Sequence, residues 1–165
     1  MARQISHIIS HWHQLIEGLQ ASPQAVYTQL DQAIAKRELP KAKFSRVKHR
    51  ESGLFSPKRV YFRVGRKELI FDICAAPYGR GFFVSWWLGE CPTIFWFLLY
   101  IPILGPLVMW LFHRETYWRI DTALMFQDSV HAAVLEVIDD LIKAQGLRAL
   151  SELERKPVMR ELFKR

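Results

Sequence analysis

Residues 58–90 read KRVYFRVGRKELIFDICAAPYGRGFFVSWWLGE, and their period is two. Between Lys58 and Val64, the residues Val60, Phe62 and Val64 fall on one side and Tyr61 and Arg63 on the other. Lys67 to Ala76 repeats the pattern, setting Leu69, Phe71 and Ile73 against Ile70, Asp72 and Cys74. Alternation in β-branched and aromatic residues is the mark of strands that pack one face on a core. Gly65, Arg66 and Lys67 supply a tight turn, and Pro77 to Gly81 a second. Gly81 to Leu88 then makes a third strand, rich in Phe, Val and Trp. Connections this short join antiparallel neighbours, so a β-meander is expected. Upstream, Lys43 to Arg50 is expected as an edge strand whose charges hold off other chains.

Outside this stretch the period changes. From Arg3 to Leu19, Ile5, Ile8, Ile9, Trp12, Leu15, Ile16 and Leu19 recur at intervals that predict a helix. Ser22 followed by Pro23 reads as an N-cap and first-turn proline opening a second helix. That helix turns Val26, Tyr27, Leu30 and Ile34 inward and ends before Pro40. Glu115 to Ile120 is expected as a further strand. Ala123 to Ile142 is an amphipathic helix with Phe126, Val130, Ala133, Val134, Val137, Ile138 and Leu141 on its inner face. Gly146 is placed to end it, and Ser151 with Glu154 fits a capping box. The fold expected is α+β, an antiparallel meander packed by N- and C-terminal helices.

One stretch does not belong to that body. Between Glu90 and His113 the sequence CPTIFWFLLYIPILGPLVMWLF carries no charged side chain. A continuous helix of this length rises about 30 Å, the thickness of the hydrocarbon core. Pro92, Trp96, Pro102, Gly105, Pro106 and Trp110 mark it as a membrane segment bent in its middle, since each internal proline removes a backbone hydrogen bond. The chain thus divides into a helical N-terminus with a basic sheet (1–90), the membrane segment (91–113), and a final strand with C-terminal helices (114–165). A re-entrant hairpin bent at Ile101 to Pro106 would return the chain to the side it left, leaving 1–90 and 114–165 one folded unit. A kinked single span would separate them, and a soluble interface helix would need no lipid. Backbone freed at the bend calls for cover, which a homo-oligomer or a larger complex would provide.

A formal net charge of +7 predicts an anionic partner. The basic residues concentrate between Lys36 and Lys67, and the candidate anion-binding set is Lys43, Arg46, Lys48, Arg50, Lys58, Arg59, Arg63, Arg66 and Lys67. Beside a membrane segment the obvious anion is the lipid headgroup. With Phe44, Phe55, Tyr61 and Phe62 interleaved, the same face suits a nucleotide or single-stranded nucleic acid. As a plain structural feature, it is a solvated edge strand.

Chemistry-bearing motifs are sparse. His7 and His11, four apart on a helix, would share a polar face but have no third metal ligand near them. Asp139 and Asp140 point apart on a helix, Ser85 has no His or Asp the sequence can place, and Tyr78-Gly79-Arg80-Gly81 is a hairpin turn rather than a phosphate loop. Cys74 and Cys91 build no disulfide framework, though Cys91 lies where acylation is conceivable. Glu90 is expected to mark the membrane interface or to pair with Arg114. No catalytic residue, cofactor or metal is assigned. The first ten residues lack the long apolar run of a secretion signal. The expectation is a non-enzymatic membrane protein with its folded parts facing the cytoplasm, acting as an oligomeric scaffold or membrane-perturbing subunit. The alternatives are a membrane-tethered module binding nucleotide or nucleic acid, and a soluble subunit using the apolar segment as an interface.

Overall fold

The computed structural model describes residues 5, 7–50, 58–91 and 116–159. Along the chain these form β1 (His7–Glu17), α1 (Pro23–Ala35), β2 (Lys43–Arg50), β3 (Lys58–Arg66), β4 (Leu69–Tyr78), β5 (Gly81–Glu90), α2 (Tyr117–Ala144) and β6 (Val158–Met159). The strands make one six-stranded sheet in the order β2-β3-β4-β5-β1-β6, antiparallel throughout. The α+β class and the meander β2 to β5 are therefore as expected. The turns fall at Lys67–Glu68 and Gly79–Arg80, with Lys67 and Gly79 in the left-handed region at φ 54° and 58°.

Two expectations are corrected. Within the helix expected over Arg3 to Leu19, His7–Glu17 is instead a strand, hydrogen-bonded to β5 from His7↔Glu90 to Glu17↔Gly81. Left alone, β5 would present an unpaired edge, and β1 satisfies it. A bulge between Ile8 and Ser10 shifts the register there. With the shift, Ile9 joins Trp12 and Ile16 in the core, so the buried residues recur at helix-like intervals of three and four while Ile8 stays exposed. The other correction concerns Glu115 to Ile120, expected as a strand. Tyr117–Ile120 is the first turn of α2, opened by Thr116 in extended conformation with its hydroxyl accepting from the Arg119 amide.

Both helices lie on one face of the sheet. α1 presents Val26, Tyr27, Leu30 and Ile34 and α2 presents Phe126, Val130, Ala133, Val134, Val137 and Ile138, all buried as their spacing predicts. They meet Trp12 and Ile16 of β1, Phe62 and Val64 of β3, Phe71, Ile73 and Ala75 of β4, and Phe82, Val84, Trp86 and Leu88 of β5 in one apolar cluster. Gly81 is a glycine because β1 passes so close that an added Cβ would sit 2.7 Å from the Ile16 carbonyl oxygen. On the opposite face Ile70, Asp72, Cys74, Arg63 and Ser85 are buried as well. Among the described residues, no helix is long and apolar enough to cross a membrane. Pro92, Trp96, Pro102, Gly105, Pro106 and Trp110 all lie outside the described residues.

Candidate functional site

Strand register gathers several chain positions at one end of the sheet. His7 pairs with Glu90, Glu90 with Leu69, Leu69 with Arg66, and Gly65 with Lys43. The amide of Cys91, the first residue of the apolar segment and the last one described before residue 116, donates to the Glu68 carbonyl at 2.7 Å. The described residues resume at Thr116. Three residues later Arg119 reaches Glu90 at 3.1 Å and Glu68 at 3.5 Å. The residues flanking segment 92–115 thus meet at one end of one folded body.

That end has a distinct surface. Tyr117 and Trp118, the first two residues of α2, are 85% and 79% exposed. Large aromatics at that exposure bury almost nothing, and no packing term in the body explains them. Lys67 is exposed near Trp118, Lys43 is exposed at the same end of the sheet on β2, and Arg66 is half-buried with its Nε donating to the Pro40 carbonyl at 3.2 Å. Lys67, Glu68, Leu69, Glu90, Trp118, Arg119 and Thr122 border a hollow of about 70 Å³. Small-molecule sites usually span at least ~300 Å³, so this hollow is too small to enclose such a ligand.

The rest of the predicted basic set does not sit here. Arg50 pairs with Lys58 at the other end of the β2–β3 ladder. Eight strand residues separate Lys43 from Arg50 by about 23 Å. Exposed Lys48, Lys58 and Arg59 belong to that far half, and of Arg50 only the backbone is described. Arg46 lies midway, its guanidinium 5.9 Å from the Tyr27 ring centre. Tyr27 stacks on Phe62 and Phe62 on Phe44, which ends the row 39% exposed. Phe55 lies outside the described residues.

Arg63 is turned inward. Its Nε and Nη2 each lie 2.6 Å from an Asp72 carboxylate oxygen, and both side chains are buried. His49 approaches Asp72 at 3.5 Å and Arg63 at 3.3 Å. A guanidinium held bidentately by a buried carboxylate has its charge neutralised on the spot. Period-two spacing put Arg63 on the polar face correctly and gave no sign that Asp72, directly across the ladder, would bind it.

Other sequence candidates resolve plainly. His7 and His11 stand four strand residues apart, about 13 Å, rather than on adjacent helical turns. His11 stacks on Trp87 at 4.9 Å. Among the described residues, no cluster of three or more His, Cys, Asp or Glu side chains offers a metal site. Asp139 is taken by Arg155 at 2.7 Å. Glu90 pairs with Arg119, and Arg114 lies outside the described residues. Cys74 is buried beside Tyr61 and Arg59, and burial pushes its thiol up despite the nearby guanidinium, which keeps it protonated and unreactive. Ser151 and Glu154 do form the reciprocal box, with the Ser151 amide 2.7 Å from the Glu154 carboxylate.

Sequence reasoning missed His131. It is buried among Trp12, Trp86 and the chain at Arg155, where its ring nitrogens sit 3.0 Å from Trp86 Nε1 and 2.7 Å from the Arg155 carbonyl. A polar residue on the apolar stripe of a helix was the available signal, and Gln127 of the same helix is buried there as well. Comparison with protein-family models, with curated proteins and with solved structures gives no match.

Proposed function

We propose that this chain is a non-enzymatic membrane-associated protein whose α+β body carries a re-entrant apolar segment, and that it acts as a subunit of an oligomer, as a scaffold or as a membrane-perturbing effector. The observation that carries this proposal is the Glu90–Arg119 ion pair, which joins the two flanks of the segment at one end of the sheet. A single crossing would put β5 and α2 on opposite sides of the bilayer. It would also strip Phe126 from Phe71, whose rings meet edge-on at 6.1 Å, and His131 from Trp86. Losing a shared core of that size costs far more than the few kcal/mol by which a domain is stable. A hairpin leaves the core intact, which is why we favour it over the span.

The experiment is fractionation of the expressed full chain, a carbonate wash, and protease mapping from each side of the membrane. Retention with the N- and C-terminal parts on the same side is the expected result. Release into the wash would remove the membrane anchor, and termini on opposite sides would remove the hairpin.

A further inference from the structure

We infer that the body reads an anionic bilayer surface with one end only: Lys43 and Lys67, supported by Arg66, meet the headgroups, Tyr117 and Trp118 lie at the interface, and Lys48, Lys58 and Arg59 stand clear. This rests on the membrane-associated reading and adds to it an orientation and a lipid class.

Three independent features converge on that end of the sheet. The first is where the chain leaves and returns, fixed by the Cys91 amide on the Glu68 carbonyl and by Arg119 on Glu90. Whatever holds segment 92–115 in lipid must therefore hold this end nearest to it. The second is the Tyr117–Trp118 pair, two amphipathic rings left almost wholly exposed at the first turn of α2. Trp and Tyr partition to the headgroup layer, where ring and polar tip are each satisfied. The third is charge. Lys43 and Lys67 are exposed at this end and neither makes an ion pair among the described residues, whereas Glu68 and Glu90 at the same end are engaged by Arg119. The local field is thus positive where it would face the bilayer.

Geometry also divides the basic residues between two jobs. Along β2, Lys48 lies about 17 Å from Lys43, and the Arg50–Lys58 pair about 23 Å. Physiological salt screens charge over roughly 8 Å, so the surface potential has fallen to about an eighth at Lys48 and to less than about a tenth at Lys58. Lys48 and Lys58 can then add little to lipid attraction in this orientation, although by composition they look equivalent to Lys43 and Lys67.

The test uses the full chain and two kinds of vesicle, pure phosphatidylcholine and phosphatidylcholine with roughly a third phosphatidylserine. Partitioning is measured for the unaltered chain, for Lys43→Gln/Lys67→Gln, and for Lys48→Gln/Lys58→Gln. All four lysines are exposed, so neither double variant threatens the core. The expected result is tighter partitioning with phosphatidylserine. Most of that gain should be lost in the first variant, about fivefold per charge, the equivalent of ~1 kcal/mol each. The second variant should keep it. Equal loss in both variants, or loss confined to Lys48→Gln/Lys58→Gln, overturns the orientation. Partitioning that ignores phosphatidylserine overturns anionic recognition while membrane association stands. Failure to bind either vesicle overturns both. Trp118→Ala supplies a second measurement: partitioning to pure phosphatidylcholine should fall, and an unchanged value would remove Trp118 from the interface.

Discussion

The indole Nε1 of Trp86 donates to Nδ1 of His131 at 3.0 Å, joining the middle of β5 to the middle of α2 inside the core. An indole nitrogen can only donate, so Nδ1 must be the bare nitrogen of a neutral imidazole. The proton then sits on Nε2, where the Arg155 carbonyl accepts it at 2.7 Å. Burial lowers the pKa of His131, opposed by that carbonyl and by Asp128, and assisted by the Arg155 charge.

A pH dependence follows from this pair. The folded-state pKa lies below the unfolded value near 6.5. His131 therefore contributes stability that is complete above the unfolded pKa and is lost as pH falls through the lower folded value. Urea unfolding followed by tryptophan emission should show a midpoint that drops on acidification. His131→Gln, which retains an acceptor and a donor, should flatten this dependence. His131→Leu should lower stability at neutral pH by about 1–3 kcal/mol, because the Trp86 N–H and the Arg155 carbonyl lose their partner. A midpoint insensitive to pH in the unaltered chain would refute the assignment.

Tyr27 sets the alkaline limit. Its hydroxyl donates to the Val60 carbonyl at 2.7 Å and accepts from the Ala75 amide at 3.0 Å, tying α1 to β3 and β4. Burial pushes its pKa up to about 12. A raised folded pKa means stability that is full below the unfolded value near 10 and is lost as pH rises from there toward 12. Tyr27→Phe should cost about 1–3 kcal/mol at neutral pH, since the buried Ala75 N–H is left without an acceptor. It should also remove this part of the alkaline fall in a pH series.

Arg63 and Asp72 behave as a unit. Truncating either alone, as Arg63→Ala or Asp72→Ala, should cost about 3–5 kcal/mol by leaving a buried charge without its partner. Arg63→Leu/Asp72→Leu should be milder than either, since no charge remains to be desolvated. Chemical denaturation of the three variants checks the order. Singles that cost less than the double would show the pair to be solvated.

Glu90 and Arg119 offer a direct probe of the two flanks in a membrane. The pair is partly exposed, so it contributes at most about 1 kcal/mol and its loss should leave the body folded. Full-length Glu90→Cys/Arg119→Cys in membranes should be bridged within one chain by a short bismaleimide, seen as a faster-migrating band. Native Cys74 and Cys91 are buried and should compete little. Absence of the band in membranes, with its presence in detergent, would mean that the flanks part when lipid is present.

The sequence by itself determined the elements whose local pattern and tertiary role agree. β3 and β4 followed from period-two alternation cut by turns, β5 from its Phe, Val and Trp content, β2 from its charges as an edge strand, α1 from Ser22-Pro23 and its inward stripe, and the body of α2 from Phe126 to Ile138. In α1, the body of α2 and β3 the residues facing the core recur at the element's own period, and a single periodicity is what one-dimensional reading detects. Tertiary structure decided the rest. His7–Glu17 carries helical spacing yet pairs with β5, because an unpaired sheet edge costs hydrogen bonds along its whole length while helix propensity differs by tenths of a kcal/mol per residue. Tyr117–Ile120 joined α2 rather than the sheet, capped by Thr116. Arg63, basic by composition, became an internal charge once register set it opposite Asp72. Nine basic residues that read as one face were parted along a ladder longer than the reach of a screened charge. The meeting of Glu90 with Arg119 was never legible in the chain order, since 29 positions separate them and only the packing of α2 on the sheet brings them together.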